Sequence, residues 1–97
     1  MAELLSDSEV TSALSAAPDW QLDGASIVRT ADLPSFAAAI AAVTRVGFFA
    51  EAADHHPDID VRWRTVTFRL STHSAGGLTA KDFALAGQID QVLAAAV

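Results

Sequence analysis

The sequence predicts an α+β domain, a four-stranded antiparallel sheet with helices packed on one face, in the order α-β-β-α-β-β-α. Three observations predict it. Two stretches alternate apolar and polar residues with a period of two: Ile59, Val61 and Trp63 against Asp58, Asp60 and Arg62, then Val66, Phe68 and Leu70 against Thr65, Thr67 and Arg69. Asp23-Gly24 marks a tight hairpin between two earlier apolar stretches. Helix-start signals and helical spacing frame the remaining segments.

Taken in order, Ser6 with Glu9 three residues on reads as a capping box. Val10, Leu14 and Ala17 follow at helical spacing, and Pro18 ends this helix. Trp20-Gln21-Leu22 and Ser26-Ile27-Val28-Arg29-Thr30 form the hairpin strands around Asp23-Gly24. Asp32 or Leu33 opens a second helix with Pro34 in its first turn, running to about Ala53. Phe36, Ile40, Val43, Gly47 and Ala50 form one apolar stripe on it, and Val46, Phe49 and Ala53 form another, so the helix is expected to be sandwiched. The two alternating strands meet at a tight join near Arg64, and Trp63 is expected to pack in the core or at an interface. Strand parity continues through Ser71 to His73 on the polar face, and Gly76-Gly77 then breaks the chain. Thr79 begins a last helix, with Phe83, Ala86, Ile89 or Asp90, and Leu93 on one side.

The 97 residues suffice for one compact domain, expected to span 1–97. A domain this small gains stability by associating with copies of itself, and an apolar content of 52%, much of it alanine, suits helix faces covered by another subunit. Net charge is −6 and the basic residues do not cluster, which disfavours nucleic-acid binding. No apolar run reaches the roughly 18 residues that span a bilayer. Met1 to Asp7 is acidic rather than signal-like, so no membrane role and a cytoplasmic location are expected. There is no cysteine, hence no disulfide and no thiolate chemistry.

The chemistry-bearing residues gather in one stretch. His55 and His56 are adjacent, followed by Pro57; Glu51 and Asp54 precede them; His73, the third and last histidine, and Asp82 follow. Histidine's ordinary pKa of about 6.5 suits proton transfer at neutral pH. Pro57 favours extended backbone at His56, so the two rings point apart and take different jobs. A solvated pair at a helix C-terminus is the plain structural alternative. Glu51 and Asp54 lie at that helix end, where the dipole disfavours carboxylates, which points to a use as orienting or ligand-binding groups. Thr79-Ala80-Lys81-Asp82 fits a capping box, a structural role for Asp82 that can coexist with a chemical one. Metal binding is the chemical rival, but the His-x-x-x-His spacing is missing and adjacent diverging rings do not easily share one ion. Ser71 and Ser74 lie near His73 without a nucleophile elbow. Gly76-Gly77 lacks a phosphate-loop pattern. The three rings are expected to converge on a ligand-sized hollow.

The run Glu51, His55-His56-Pro57, Trp63, Ser71-Thr72-His73 and Asp82 resembles the pterin-4a-carbinolamine dehydratases. Trp20, Thr44-Arg45-Val46 and Gly77-Leu78-Thr79 extend the resemblance over about Trp20 to Gln91. Ile59, Asp60 and Val61 depart from the larger residues and asparagine usual after the histidine pair. The resemblance implies dehydration of 4a-hydroxytetrahydrobiopterin to quinonoid dihydropterin, recycling the cofactor of aromatic amino acid hydroxylases. It implies His55 and His73 as the acid–base pair and His56 as a group that binds or polarises substrate. Glu51 and Asp82 become orienting or ring-binding carboxylates, with Asp54 and Pro57 beside the substrate. No cofactor or metal is implied, and relatives form dimers or tetramers. The alternative is a non-catalytic partner-binding or assembly protein on the same scaffold.

Overall fold

Each helix begins where a side chain replaces a missing backbone partner. The computed structural model describes residues 3–96; Met1, Ala2 and Val97, the first two of them within the acidic N-terminal stretch, lie outside the described residues. Helix α1 spans Asp7–Ser15 behind a complete Ser6/Glu9 capping box. Strand β1 is Gln21–Asp23 and β2 is Ser26–Asp32. Helix α2 spans Phe36–Ala53, strands β3 and β4 span Asp58–Arg62 and Thr65–Leu70, a 3-10 turn covers His73–Ala75, and α3 spans Ala80–Ala95 behind the Thr79/Asp82 capping box. The order is the one expected.

All neighbouring strands are antiparallel, and the sheet runs β1-β2-β4-β3, so the two hairpins join through β2 and β4. Ile27 lies opposite Leu70, and Phe68 lies opposite Ile59; these residues, with Val66, face the helices. The other face carries Thr30 bonded to Thr67 at 3.0 Å and Thr65 bonded to Asp32 at 2.7 Å. Leu85, Ile89, Val92 and Val46 complete the core from α3 and α2. Burying a side chain of that size stabilises the fold by about 1.5–3 kcal/mol.

Four local expectations are corrected. The hairpin loop is Gly24-Ala25, not Asp23-Gly24, because Asp23 pairs with Ser26 and Gly24 takes the left-handed position (φ +61°). Trp20 precedes β1, is buried, and donates its Nε1–H to Asp90 at 2.8 Å. Helix α2 starts later than expected: Asp32 still belongs to β2 and Ser35 is the cap, accepting from the Ala38 N–H at 3.0 Å. Pro34 pushes its predecessor out of helical conformation, which delays the start. The inward stripe of α2 is Ala39, Ala42, Val46 and Ala50, while Phe36, Ile40 and Phe48 are exposed. Small residues let α2 approach α3 closely, since interaxial distance follows contact side-chain size.

Two further expectations change. Trp63 is not in the core: it is 72% exposed, at the first position of the β3–β4 turn with φ +55°, and Arg64 lies 5.1 Å over its ring. The strand parity that pointed Trp63 inward ends one residue before it. Finally, α2 is 18 residues long with mean hydropathy 1.5, enough by length and composition to cross a membrane, contrary to the reading of apolar runs. Thr44, Arg45 and Glu51 interrupt the apolar run, but the helix carries them without losing its apolar average. Its inward stripe is built into the protein core.

Candidate active site

The two neighbouring histidines are anchored by two different carboxylates. Helix α2 ends at Asp54, whose backbone takes a left-handed conformation (φ 50°, ψ 44°), one that Asp tolerates better than most residues. The chain then reverses, with the His55 N–H bonded to the Ala50 carbonyl at 3.0 Å. His55 turns inward and is buried; His56 turns outward. Pro57, half-buried, leads into β3.

His55 Nε2 lies 2.6 Å from Asp82 Oδ1, and Asp82 is completely buried in the first turn of α3. The other oxygen, Oδ2, accepts from the Thr79 N–H at 2.9 Å and from the Thr72 hydroxyl at 2.8 Å. Asp82 therefore caps α3 with one oxygen and holds His55 with the other. The partial positive charge of the helix N-terminus favours a carboxylate there. No buried side-chain nitrogen or oxygen among the described residues lacks a partner. Among the described residues Nδ1 of His55 has no hydrogen-bond partner, so it is not sealed from solvent. Pairing at Nε2 selects which ring nitrogen donates to the carboxylate and leaves Nδ1 outside that bond.

His56 Nε2 lies 2.7 Å from Glu51 Oε1, one helical turn back on α2, with both groups exposed. His73 is exposed and opens the 3-10 turn directly after Thr72. Asp54 is exposed, and its backbone serves as the helix cap.

The structure thus joins His55, Asp82, Thr72 and Thr79 in one bonded cluster, with His73 directly after Thr72, and leaves Glu51 and His56 paired at the surface. The two cavities described, of about 250 and 260 Å³, lie elsewhere: one beside Leu5, Val10 and Leu22, the other between α2 and α3 beside Ala42, Arg45 and Val92. No candidate residue lines either, so the enclosed hollow expected between the rings is not among them. Of the three histidines His55 alone is buried; His56 and His73 are exposed. Among the described residues, no group of three or more histidines and carboxylates is arranged to hold a metal ion. Sequence reasoning quoted Thr72 within a motif but gave it no role, although the inward parity Val66, Phe68, Leu70 continues to it and a buried hydroxyl needs a partner.

The family model described as Pterin 4 alpha carbinolamine dehydratase matches residues 3–92. The chain belongs to this family. The pterin carbinolamine dehydratases are hydro-lyases, and membership makes this chain one of them. A relative from Nocardia farcinica, provisionally named pterin-4-alpha-carbinolamine dehydratase, is 61% identical over 90 residues, 93% of this chain and 95% of the relative. One from Roseiflexus castenholzii with the same name is 57% identical over 93 residues, 96% of this chain and 100% of the relative. The crystal structure of a transcriptional coactivator/pterin dehydratase from Brucella melitensis superposes with a TM-score of 0.88 at 32% identity, covering 92% of this chain and 97% of that one.

Proposed function

We propose that this chain dehydrates 4a-hydroxytetrahydrobiopterin to quinonoid dihydropterin and water by histidine acid–base catalysis. The observation that carries the reading is the His55–Asp82 pair, which holds one imidazole by Nε2 and leaves Nδ1 outside that bond. The reaction needs two proton transfers. The C4a–O bond breaks as the leaving hydroxyl takes a proton, the N5 proton departs, and the N5=C4a double bond forms. No electrons are exchanged, so no redox cofactor is required, and imidazoles alone serve. His55 and His73 are the acid–base pair. His56, steadied by Glu51, binds or polarises the pterin, and Asp54 and Pro57 border it. In this role the protein recycles the cofactor of aromatic amino acid hydroxylases in the cytoplasm.

The test is the decay of carbinolamine absorbance in the presence of chelator. Protein is expected to accelerate it, and His55→Ala and His73→Ala each to lose about 10²–10⁴ of that acceleration. Decay no faster than in buffer contradicts the reading.

We also propose that the chain, a single domain over residues 1–97, acts as a homodimer or homotetramer. The outward face of α2, with Phe36, Ile40 and Phe48 exposed on one helix, supports this. Phe48→Asp is expected to lower the mass seen in sedimentation; an unchanged mass counts against α2 as the contact. A second reading, a partner-binding protein on this scaffold, is favoured by the Brucella melitensis neighbour, whose description includes transcriptional coactivator. One stoichiometric protein partner combined with no turnover is the result that would select it.

A further inference from the structure

We infer that Thr72 and Thr79 are positioning residues, forming a one-way hydrogen-bond chain that fixes the proton of His55 on Nε2 and so assigns Nδ1 as its proton-transfer atom. This rests on the proposed acid–base role of His55 and deepens it.

The direction of the chain follows from donor and acceptor bookkeeping. An ionised carboxylate only accepts. Thr72 Oγ1 lies 2.8 Å from Asp82 Oδ2, so Thr72 is the donor there. Its single proton is then used. Thr79 Oγ1 lies 2.8 Å from Thr72 Oγ1, so Thr79 donates to Thr72. Thr79 in turn accepts from the Lys81 N–H at 3.3 Å, as a helix cap does. Every proton in the row points towards Asp82.

The consequence falls on His55. Oδ2 is occupied by the Thr72 hydroxyl and the Thr79 N–H. Oδ1 faces His55 Nε2 at 2.6 Å and can only accept from it. A carboxylate held this way in a buried site requires Nε2 to carry hydrogen, and a neutral imidazole then has its lone pair on Nδ1. Thr72, Thr79 and Asp82 are all buried, so no water competes for these bonds. The chain also spans elements: Thr72 follows β4, Thr79 and Asp82 open α3, and His55 follows α2. An antiparallel bridge between Thr72 and Gly77 holds the Thr72 backbone, with the Thr72 N–H bonded to the Gly77 carbonyl at 2.9 Å. Thr72 is thus fixed from both its backbone and its hydroxyl.

Imidazole nitrogen resonances of the full chain read the tautomer directly, without substrate. In the wild type, His55 is expected to show a protonated Nε2 and an unprotonated Nδ1 at a pH where the ring is neutral. Thr72→Val keeps the shape and removes the hydroxyl. It is expected to give a mixture of tautomers and to lower kcat by up to roughly a hundredfold with KM little changed, since Thr72 is buried and bonded to Asp82. Thr72→Ser restores the hydroxyl and is expected to restore both readouts. Hydrogen on Nδ1 of His55 in the folded wild type overturns the inference at once, whether or not Thr72→Val folds. A folded Thr72→Val with an unaltered tautomer overturns it as well. Absence of dehydratase activity instead removes the proposed reaction, and leaves the resonance measurement to decide the hydrogen-bond chain.

Discussion

His55 and His56 are neighbours in sequence, each has its Nε2 within 2.7 Å of a carboxylate, and the two pairs have different physical meaning. The His56–Glu51 pair is 58% and 81% exposed, so water competes for both groups; such a pair contributes about 0–1 kcal/mol. The His55–Asp82 pair is 9% and 0% exposed and belongs to a network in which both carboxylate oxygens are used. There, removing one partner leaves a buried polar group with nothing to replace it. One residue of extended backbone separates the two regimes, because successive side chains leave on opposite sides. Proximity in sequence therefore does not make these rings interchangeable. The buried ring has a fixed orientation, and the exposed one has room to follow a ligand.

The largest effect expected from breaking this contrast is at Asp82. Asp82→Ala removes the His55 anchor and the α3 cap together and is expected to cost about 3–5 kcal/mol in urea unfolding. Asp82→Asn keeps the shape but supplies two donors where an acceptor stood; a loss of about 1–3 kcal/mol is expected by the same measurement. Glu51→Ala sharpens the comparison from the exposed side, with unfolding free energy expected within about 0.5 kcal/mol of wild type. A large loss there would erase the distinction drawn from burial.

The smallest expected effect concerns a second contrast, between two capping boxes. Ser6/Glu9 and Thr79/Asp82 are the same motif, one exposed and one buried. At the exposed box the Ser6 N–H, then the Ser6 side chain, hold the Glu9 carboxyl below its ordinary range. A carboxyl depressed on folding contributes stability above its unfolded pKa, and that contribution is lost as pH falls through the folded value. Glu9→Gln is therefore expected to lower stability slightly at neutral pH and to leave the acid end almost unchanged, so that the profile flattens between them. Thermal melts of both proteins from neutral pH down through the carboxylate range would show it.

Capping signals were legible because they are local. Ser6 with Glu9 and Thr79 with Asp82 declare themselves by spacing, and the alternation of Val66, Phe68 and Leu70 declares a buried strand face. What stayed hidden depends on partners far along the chain. The inward stripe of α2 is mostly alanine because α3 comes close, and nothing in α2 itself says so; large residues look like core, and Phe36 and Ile40 drew the reading to the wrong side. Trp63 looked like the next step of an inward stripe, but the turn begins there. The hairpin register slipped by one residue because Asp-Gly signals a turn without fixing which pair closes it. At the candidate site, the residue types and their spacing were visible, and the separation of His55 from His56 followed from backbone alternation. Which carboxylate each would meet was not visible, since His55 and Asp82 stand 27 positions apart and the stretch between them carries no record of how it folds back. Thr72 was readable in principle: strand parity turns it inward, and an inward hydroxyl must bond to something.

The most direct measurement compares steady-state carbinolamine dehydration by His55→Ala and His56→Ala under one set of conditions. The account predicts that His55→Ala lowers kcat by about 10²–10⁴, while His56→Ala acts mainly on KM. Equal losses of kcat in the two variants, or a loss confined to His56→Ala, would contradict the claim that the buried, carboxylate-anchored ring moves the proton.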